Sequence, residues 1–227
     1  RNLDMVYVLE NNGVYGLTKG QYSATAVKGS KKKKGPANKH QPIDLCKLAI
    51  NLGCTFVARS FSGSKKQLTA LMKAAMSHKG FALIDVISPC VTFNNNDESL
   101  RSYTYVKDND VELHAYDYIP TQTPIESAAA PEGEFHDITL FDGSVLRLET
   151  IGSDHDPSDA MAALNALHTA EAEDKHVTGL LYFDPTQATA TEDQCLVSTP
   201  LAEVDDEIMR PSAATLETLN ARFRGKA

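Results

Sequence analysis

No two of the four cysteines, Cys46, Cys54, Cys90 and Cys195, stand at CxxC spacing. That argues against a disulfide scaffold and fits a reducing cytoplasm, and no complete metal site can be read from them. No apolar run approaches the length of a bilayer span, so no membrane partner is expected. Internal repeats are absent too. The lysine run Lys31 to Lys34, closed by Gly35-Pro36, has no aromatic residues interleaved for base stacking, and the chain as a whole carries a formal net charge of −8. Nucleic acid is therefore not an expected partner, and the run reads as a solvated loop.

What is present is enough for one full core and an appended lobe: 227 residues, 42% hydrophobic and 23% charged. The charge is polarised. Residues 1–80 hold 14 Lys/Arg against 3 Asp/Glu, and the remainder holds 8 against 27. A basic first part suits an acidic protein, an anionic cofactor or nucleic acid, and does not choose among them.

The first part reads as an alternation of strands and helices. Met5 to Leu9 is an apolar run that reads as a buried strand. Ile43 to Leu52 predicts a short helix opened by Pro42 and ended by Gly53, and Cys54 to Ala58 a buried strand. Lys65 to His78 repeats Leu68, Leu71, Met72 and Ala75 at helical spacing behind Ser64, with Gly80 at its end; Phe81 to Ile87 is a further buried strand. Right-handed crossovers then give a parallel sheet. Asn12, Arg59 and Cys90, each expected just past a strand, should share one edge of it.

The stretch Glu10 to Thr25 sits at that edge, where α/β proteins place ligands. In Asn11-Asn12-Gly13 an amide oxygen is a neutral hard ligand for Mg²⁺, and the glycine lets a following backbone carbonyl turn in as a second. Gly16, Thr18 and Gly20 supply a hydroxyl and unobstructed N–H donors for phosphate. On spacing alone the same turn reads as a surface connection, and Cys90 in Ser88-Pro89-Cys90 as a small apolar side chain.

The second part is acidic and rich in loops. Tyr103 to Tyr118 predicts half-buried strands, residues 128–133 a linker, and Ile138 to Leu148 a hairpin around Asp142-Gly143. Ser153-Asp154-His155-Asp156-Pro157 suggests a metal cluster but fits a helix N-terminus better, ahead of a helix from Ala160 to Glu173. Val177 to Phe183 is one more strand, and Leu216 to Phe223 a closing helix.

The whole string N-N-G-V-Y-G-L-T-K-G-Q-Y-S-A-T, from Asn11 to Thr25, resembles the second half of the thiamine-diphosphate motif in beta subunits of 2-oxoacid:ferredoxin oxidoreductases. Phe56 to Gly63 and Ser88-Pro89-Cys90-Val91-Thr92-Phe93 fall in the family's order. Gly152 to Pro157, Thr178 to Tyr182 and Arg210-Pro211-Ser212 are similar to the form acting on 2-oxoglutarate. The motif's first half, a Gly-Asp-Gly, is expected before Arg1.

The resemblance implies an α/β thiamine-diphosphate-binding fold, a parallel sheet flanked by helices. Residues 1–120 would be its C-terminal half and residues 121–227 an acidic α+β extension. It implies that Asn12 and Val14 hold Mg²⁺, that Gly13, Gly16 and Thr18 join them in holding the diphosphate, and that Leu17 and Lys19 meet the substrate. It implies that Cys90 is the remote ligand of a [4Fe–4S] cluster. The implied reaction is coenzyme A-dependent oxidative decarboxylation of a 2-oxoacid, 2-oxoglutarate first and pyruvate or a broad range as the alternative. Ferredoxin would take the electrons, and an alpha subunit would complete a dimer of αβ pairs in the cytoplasm. The lysine loop would cover the site or meet ferredoxin. A non-catalytic fragment that only assembles with other chains is the other reading.

Overall fold

The computed structural model describes residues 2–30, 36–97, 99–119, 135–140, 142–150 and 155–224. The lysine run, the linker at 128–133 and Ser153-Asp154 lie outside them. Two units are described, Arg1–Ala190 and Thr191–Ala227.

The first unit is built on a sheet of β1 (Met5–Asn11), β4 (Phe56–Phe61), β5 (Phe81–Ile87), β6 (Asp110–Glu112) and β10 (His176–Phe183), in the order β1-β5-β4-β10-β6. The expected parallel set is there: β1 and β4 both run parallel to β5. β10 runs against β4, with a register shift between Leu180 and Tyr182, and β6 runs parallel to β10. A strand from beyond residue 121 thus completes the sheet of the first part.

Side-chain alternation along the strands builds two cores. Phe56 and Ala58 point to one face, where Leu71 and Ala74 of α2 (Lys65–Ser77) pack with Ile84 and Leu180. Val57 and Leu83 point to the other, against Cys46 and Ile50 of α1 (Leu45–Asn51) and Ala163 and Leu167 of α4 (Ala160–Ala172). Cys46 and Cys54 are core residues. Asp44 and Asp159 cap α1 and α4, each side chain accepting two backbone N–H bonds.

Three expectations are corrected. β1 is a strand but not a buried one: it lies at the end of the sheet order, paired with β5 alone among the described strands, and Met5, Tyr7 and Val8 are exposed. β4 extends to Phe61, so Arg59 lies within the strand rather than past its end, and its side chain is buried. The tyrosine-rich stretch opens as a helix, α3 (Tyr103–Asn109), because Ser102 Oγ accepts the Tyr105 N–H at 3.2 Å and starts it. Strands follow only in β6 and in β7 (His114–Ile119). The hairpin forms as expected: β8 (Phe135–Thr139) and β9 (Val145–Thr150) join β7 in an antiparallel sheet, with Gly143 at φ 79° in the turn. β2 (Val14–Tyr15) and β3 (Gln21–Tyr22) form a small hairpin after β1.

α5 (Ala190–Asp193) leads into the second unit, which holds a 3₁₀ turn at Leu201–Glu203, α6 (Asp206–Met209) and α7 (Ala213–Arg224). None of their side chains is buried, and Leu216, Leu219 and Phe223 of α7 are exposed. No helix among the described residues is long and apolar enough to cross a membrane.

Candidate functional site

β1 ends at Asn11, and the residue that its last carbonyl delivers to the sheet edge is fixed from several sides. Asn11 is buried; its Nδ2 donates to Asp85 Oδ1 at 2.9 Å, and its Oδ1 accepts from Thr25 Oγ1 at 2.7 Å and Arg101 Nη1 at 2.9 Å. Arg101 Nη1 also donates to the Asn11 carbonyl at 3.1 Å, and Nη2 to the Thr25 carbonyl at 2.9 Å.

Next in the chain, Asn12 Oδ1 accepts the Val14 N–H at 2.9 Å, and the Asn12 carbonyl accepts from Asn94 Nδ2 at 2.8 Å. Between them Gly13 takes φ 72°, and a Cβ there would lie 3.3 Å from both Arg101 Cδ and Asn94 Nδ2. Glycine is required at this point for both reasons. Beyond Tyr15 the loop is open. Leu17 is 98% exposed, Lys19 is exposed at φ 66°, and a side chain on Gly16 would meet nothing within 4 Å. Thr18 Oγ1 donates to Gln21 Oε1 at 3.1 Å.

The turn after β5 locks onto this loop. The Cys90 carbonyl accepts the N–H groups of Phe93 at 3.2 Å and Asn94 at 2.8 Å, leaving the thiol half-buried. The ring of Phe93 lies against Gly20, 3.0 Å from where a Cβ would stand. Ser88 N–H bonds the Asn11 carbonyl at 3.2 Å. Asn12 and Cys90 therefore share the sheet edge that parallel strand direction predicts.

Behind Asn11 runs a buried ionic chain. Arg59 Nε donates to Asp85 Oδ2 at 3.0 Å and Nη2 to Asp44 Oδ1 at 2.8 Å. Burial works to raise the Asp44 carboxyl, but the Arg59 charge and the Lys47 N–H outweigh it and hold the group below its usual range. Burial likewise works to lower Arg59, and the surrounding Asp44 and Asp85 carboxylates outweigh it, raising the group. Cys46, sealed beside them, is pushed well up by burial. Burial pulls the Arg101 guanidinium down, opposed by Asp85. Asn11, Asp44, Arg59, Asp85 and Arg101 are among the residues that line a cavity of about 620 Å³, together with Lys28, Ile43, His168 and Lys175. Asn12, Val14, Thr18 and Cys90 are not among its described lining residues.

Comparison with known proteins decides what the edge belongs to. Residues 1–86 match the family described as thiamine pyrophosphate enzyme, C-terminal TPP binding domain. This part of the chain is similar to that domain and has its α/β fold. The 2-oxoacid:ferredoxin oxidoreductase subunit beta of a Sulfolobus species is 51% identical over 96 residues, 42% of this chain and 32% of that protein. The 2-oxoglutarate synthase subunit KorB of Methanocaldococcus jannaschii is 36% identical over 119 residues, 50% and 44%. Among solved structures, a 2-oxoglutarate:ferredoxin oxidoreductase from Magnetococcus marinus, with 2-oxoglutarate, coenzyme A and succinyl-CoA bound, matches at a TM-score of 0.61 and 26% identity. It covers 97% of this chain and 58% of that one. These relatives are oxidoreductase subunits, and the chain spans less than half the length of the two sequence relatives.

The residues at this edge can be tested against the cofactor named in the matching family. Asn12 Oδ1 and the Val14 carbonyl are hard neutral oxygens on either side of a glycine whose positive φ and close neighbours disfavour a side chain, and the backbone at Gly16 is unobstructed. These groups fit a magnesium diphosphate from one side. Among the described residues no three His, Cys, Asp or Glu cluster as metal ligands. Cys90 is a free cysteine, and a four-cysteine cluster would need three further ligands from outside this turn. The His155 and Asp156 of the suggested metal cluster are otherwise engaged: His155 Nε2 bonds the Leu181 carbonyl at 2.8 Å, and Asp156 Oδ1 accepts from Ser158.

Sequence reasoning missed Asn11, Asp44, Asp85 and Arg101. Asp85 did leave a signal, since a lone carboxylate in Phe81 to Ile87 is a charge inside a buried strand and needs a partner. Arg101 left none, because its loop position reads as solvent-exposed.

Proposed function

We propose that this chain is part of the beta subunit of a 2-oxoacid:ferredoxin oxidoreductase, acting on 2-oxoglutarate with coenzyme A to give succinyl-CoA and CO₂. The observation that carries the reading is the interlock of the Asn12-Gly13-Val14 turn with the Cys90 turn, through Asn94 and Phe93, at the carboxyl edge of a thiamine-diphosphate-binding sheet. Thiamine diphosphate, when bound, supplies the electron sink that decarboxylation of a 2-oxoacid needs. Asn12, through its side chain, and Val14, through its carbonyl, would hold Mg²⁺, while Gly13, Gly16 and Thr18 hold the diphosphate. The open backbone at Gly16 supports that role.

Leu17 and Lys19 extend the loop beyond the hairpin, and the Lys19 ammonium pairs with the distal carboxylate of a dicarboxylic substrate. Cys90 contributes its thiolate to a [4Fe–4S] cluster that passes electrons to ferredoxin. An alpha subunit and the remaining cluster and metal ligands complete the enzyme, as a dimer of αβ pairs in the cytoplasm. Residues 1–120 form the C-terminal half of the cofactor domain and residues 121–227 an acidic extension that lends β10 to its sheet.

The test is made on the full-length chain assembled with its alpha subunit. The complex should reduce ferredoxin in the presence of 2-oxoglutarate and coenzyme A, and Asn12→Ala should abolish Mg²⁺-dependent cofactor retention. A complex that reduces ferredoxin with neither 2-oxoglutarate nor pyruvate refutes the reading.

A further inference from the structure

Arg101 grips both ends of the cofactor loop. One arm of its guanidinium meets Asn11, at the carbonyl and at Oδ1, and the other meets the Thr25 carbonyl, 14 residues further on. Thr25 Oγ1 closes the same gap by donating to Asn11 Oδ1. The side chain is held in place from behind: Arg101 N–H bonds Ser99 Oγ at 3.1 Å, Ser99 Oγ donates to Asn94 Oδ1 at 2.7 Å, and Asn94 Nδ2 donates to the Asn12 carbonyl. Arg101 is only 9% exposed, and its Cδ lies 3.3 Å from the place a Gly13 side chain would occupy.

Resting on the function proposed above, we infer that Arg101 is a positioning residue for the cofactor turn. It closes the loop at its base, so that Asn12 and Val14 are presented by a fixed backbone, and it ties that backbone to the segment bearing Cys90. A planar fork with donors in a rigid arrangement suits three acceptors on two strands of backbone, and a flexible amine does not replace it fully. Its action runs through Asn11, Thr25 and Gly13. Loops of this kind otherwise open locally at small cost, which would scatter the ligands of a metal diphosphate.

The test uses the full-length assembled complex with Arg101→Met and Arg101→Lys. Hydrogen exchange is followed without cofactor, and thiamine diphosphate affinity is measured by calorimetry with Mg²⁺. Arg101→Met should speed exchange of the Gly13–Thr25 amides about ten-fold or more, leave those of α2 and β4 unchanged, and weaken cofactor binding about ten-fold or more. Arg101→Lys should show the same loop-limited pattern at smaller size, and it carries the test if the methionine variant does not assemble. Wild-type exchange in that loop, or acceleration spread evenly over the sheet, overturns the positioning role. A wild-type complex that binds no thiamine diphosphate overturns the functional reading instead, and with it the service of Arg101 to that cofactor.

Discussion

Arg59 and Asp85 face each other at paired positions on two parallel strands, Nε to Oδ2 at 3.0 Å, with their side chains only 10% and 1% exposed. The other Asp85 oxygen accepts from Asn11 Nδ2 at 2.9 Å, so the pair ties the sheet interior to the first residue of the Asn11-Asn12-Gly13 turn.

Removing Arg59 leaves the buried Asp85 carboxylate without its ion-pair partner. Arg59→Met should therefore cost about 3–5 kcal/mol in urea unfolding, and adding Asp85→Asn should recover part of that loss. A single variant within about 0.5 kcal/mol of wild type would show that the pair contributes little.

Acid should weaken the fold well before general carboxylate protonation. Burial lowers His78 to about 4 and His176 to about 4, below the usual unfolded value of about 6.5. Between pH 6.5 and 4 the unfolded chain binds the extra protons, so stability is full above that window and falls as pH drops through it. Asp110, raised to about 6 by burial, acts in the opposite sense, since the folded state takes its proton first. Two histidines against one carboxyl leave a net loss, and His78→Gln should make the slope shallower. A flat urea midpoint across this range would contradict the assignment.

Gly16 and Gly20 separate cofactor binding from stability. At Gly20, φ is 86° and the Phe93 ring blocks a Cβ, so Gly20→Ala should lower stability by about 1–2 kcal/mol. Gly16 has open space and no positive φ. Gly16→Ala should leave the thermal midpoint within a degree or two and weaken thiamine diphosphate binding; the diphosphate role is lost if affinity is also unchanged.

Lys19 carries the selectivity claim. Lys19→Ala should reduce 2-oxoglutarate turnover more than pyruvate turnover in the assembled enzyme, and an equal loss on both substrates removes it. Because Lys19 sits at φ 66°, Lys19→Gly should lose the charge while relaxing the backbone, and show the same selectivity change.

Much of the first part was legible because its signals are local. Apolar runs, caps and glycine stops placed β1, α1, α2 and β5, and shared strand direction brought Asn12 and Cys90 to one edge. What was not legible depends on partners distant in sequence. Arg59 reads as a strand end until Asp44 and Asp85 are seen to compensate its charge. Arg101 is 90 residues from Asn11, and no periodicity links them. β10 reads as a strand, but its place beside β4 and its antiparallel direction are set by tertiary pairing. Tyr103 to Asn109 misled because alternating tyrosines suit a strand, while Ser102 caps a helix.

The most direct measurement is low-temperature electron paramagnetic resonance of the full-length chain assembled with its alpha subunit, after addition of 2-oxoglutarate and coenzyme A. The wild type should develop the signal of a reduced [4Fe–4S] cluster, and Cys90→Ser should lose it while Cys46→Ser keeps it. An undiminished cluster signal in Cys90→Ser would contradict the placement of cofactor and cluster at one edge of this sheet.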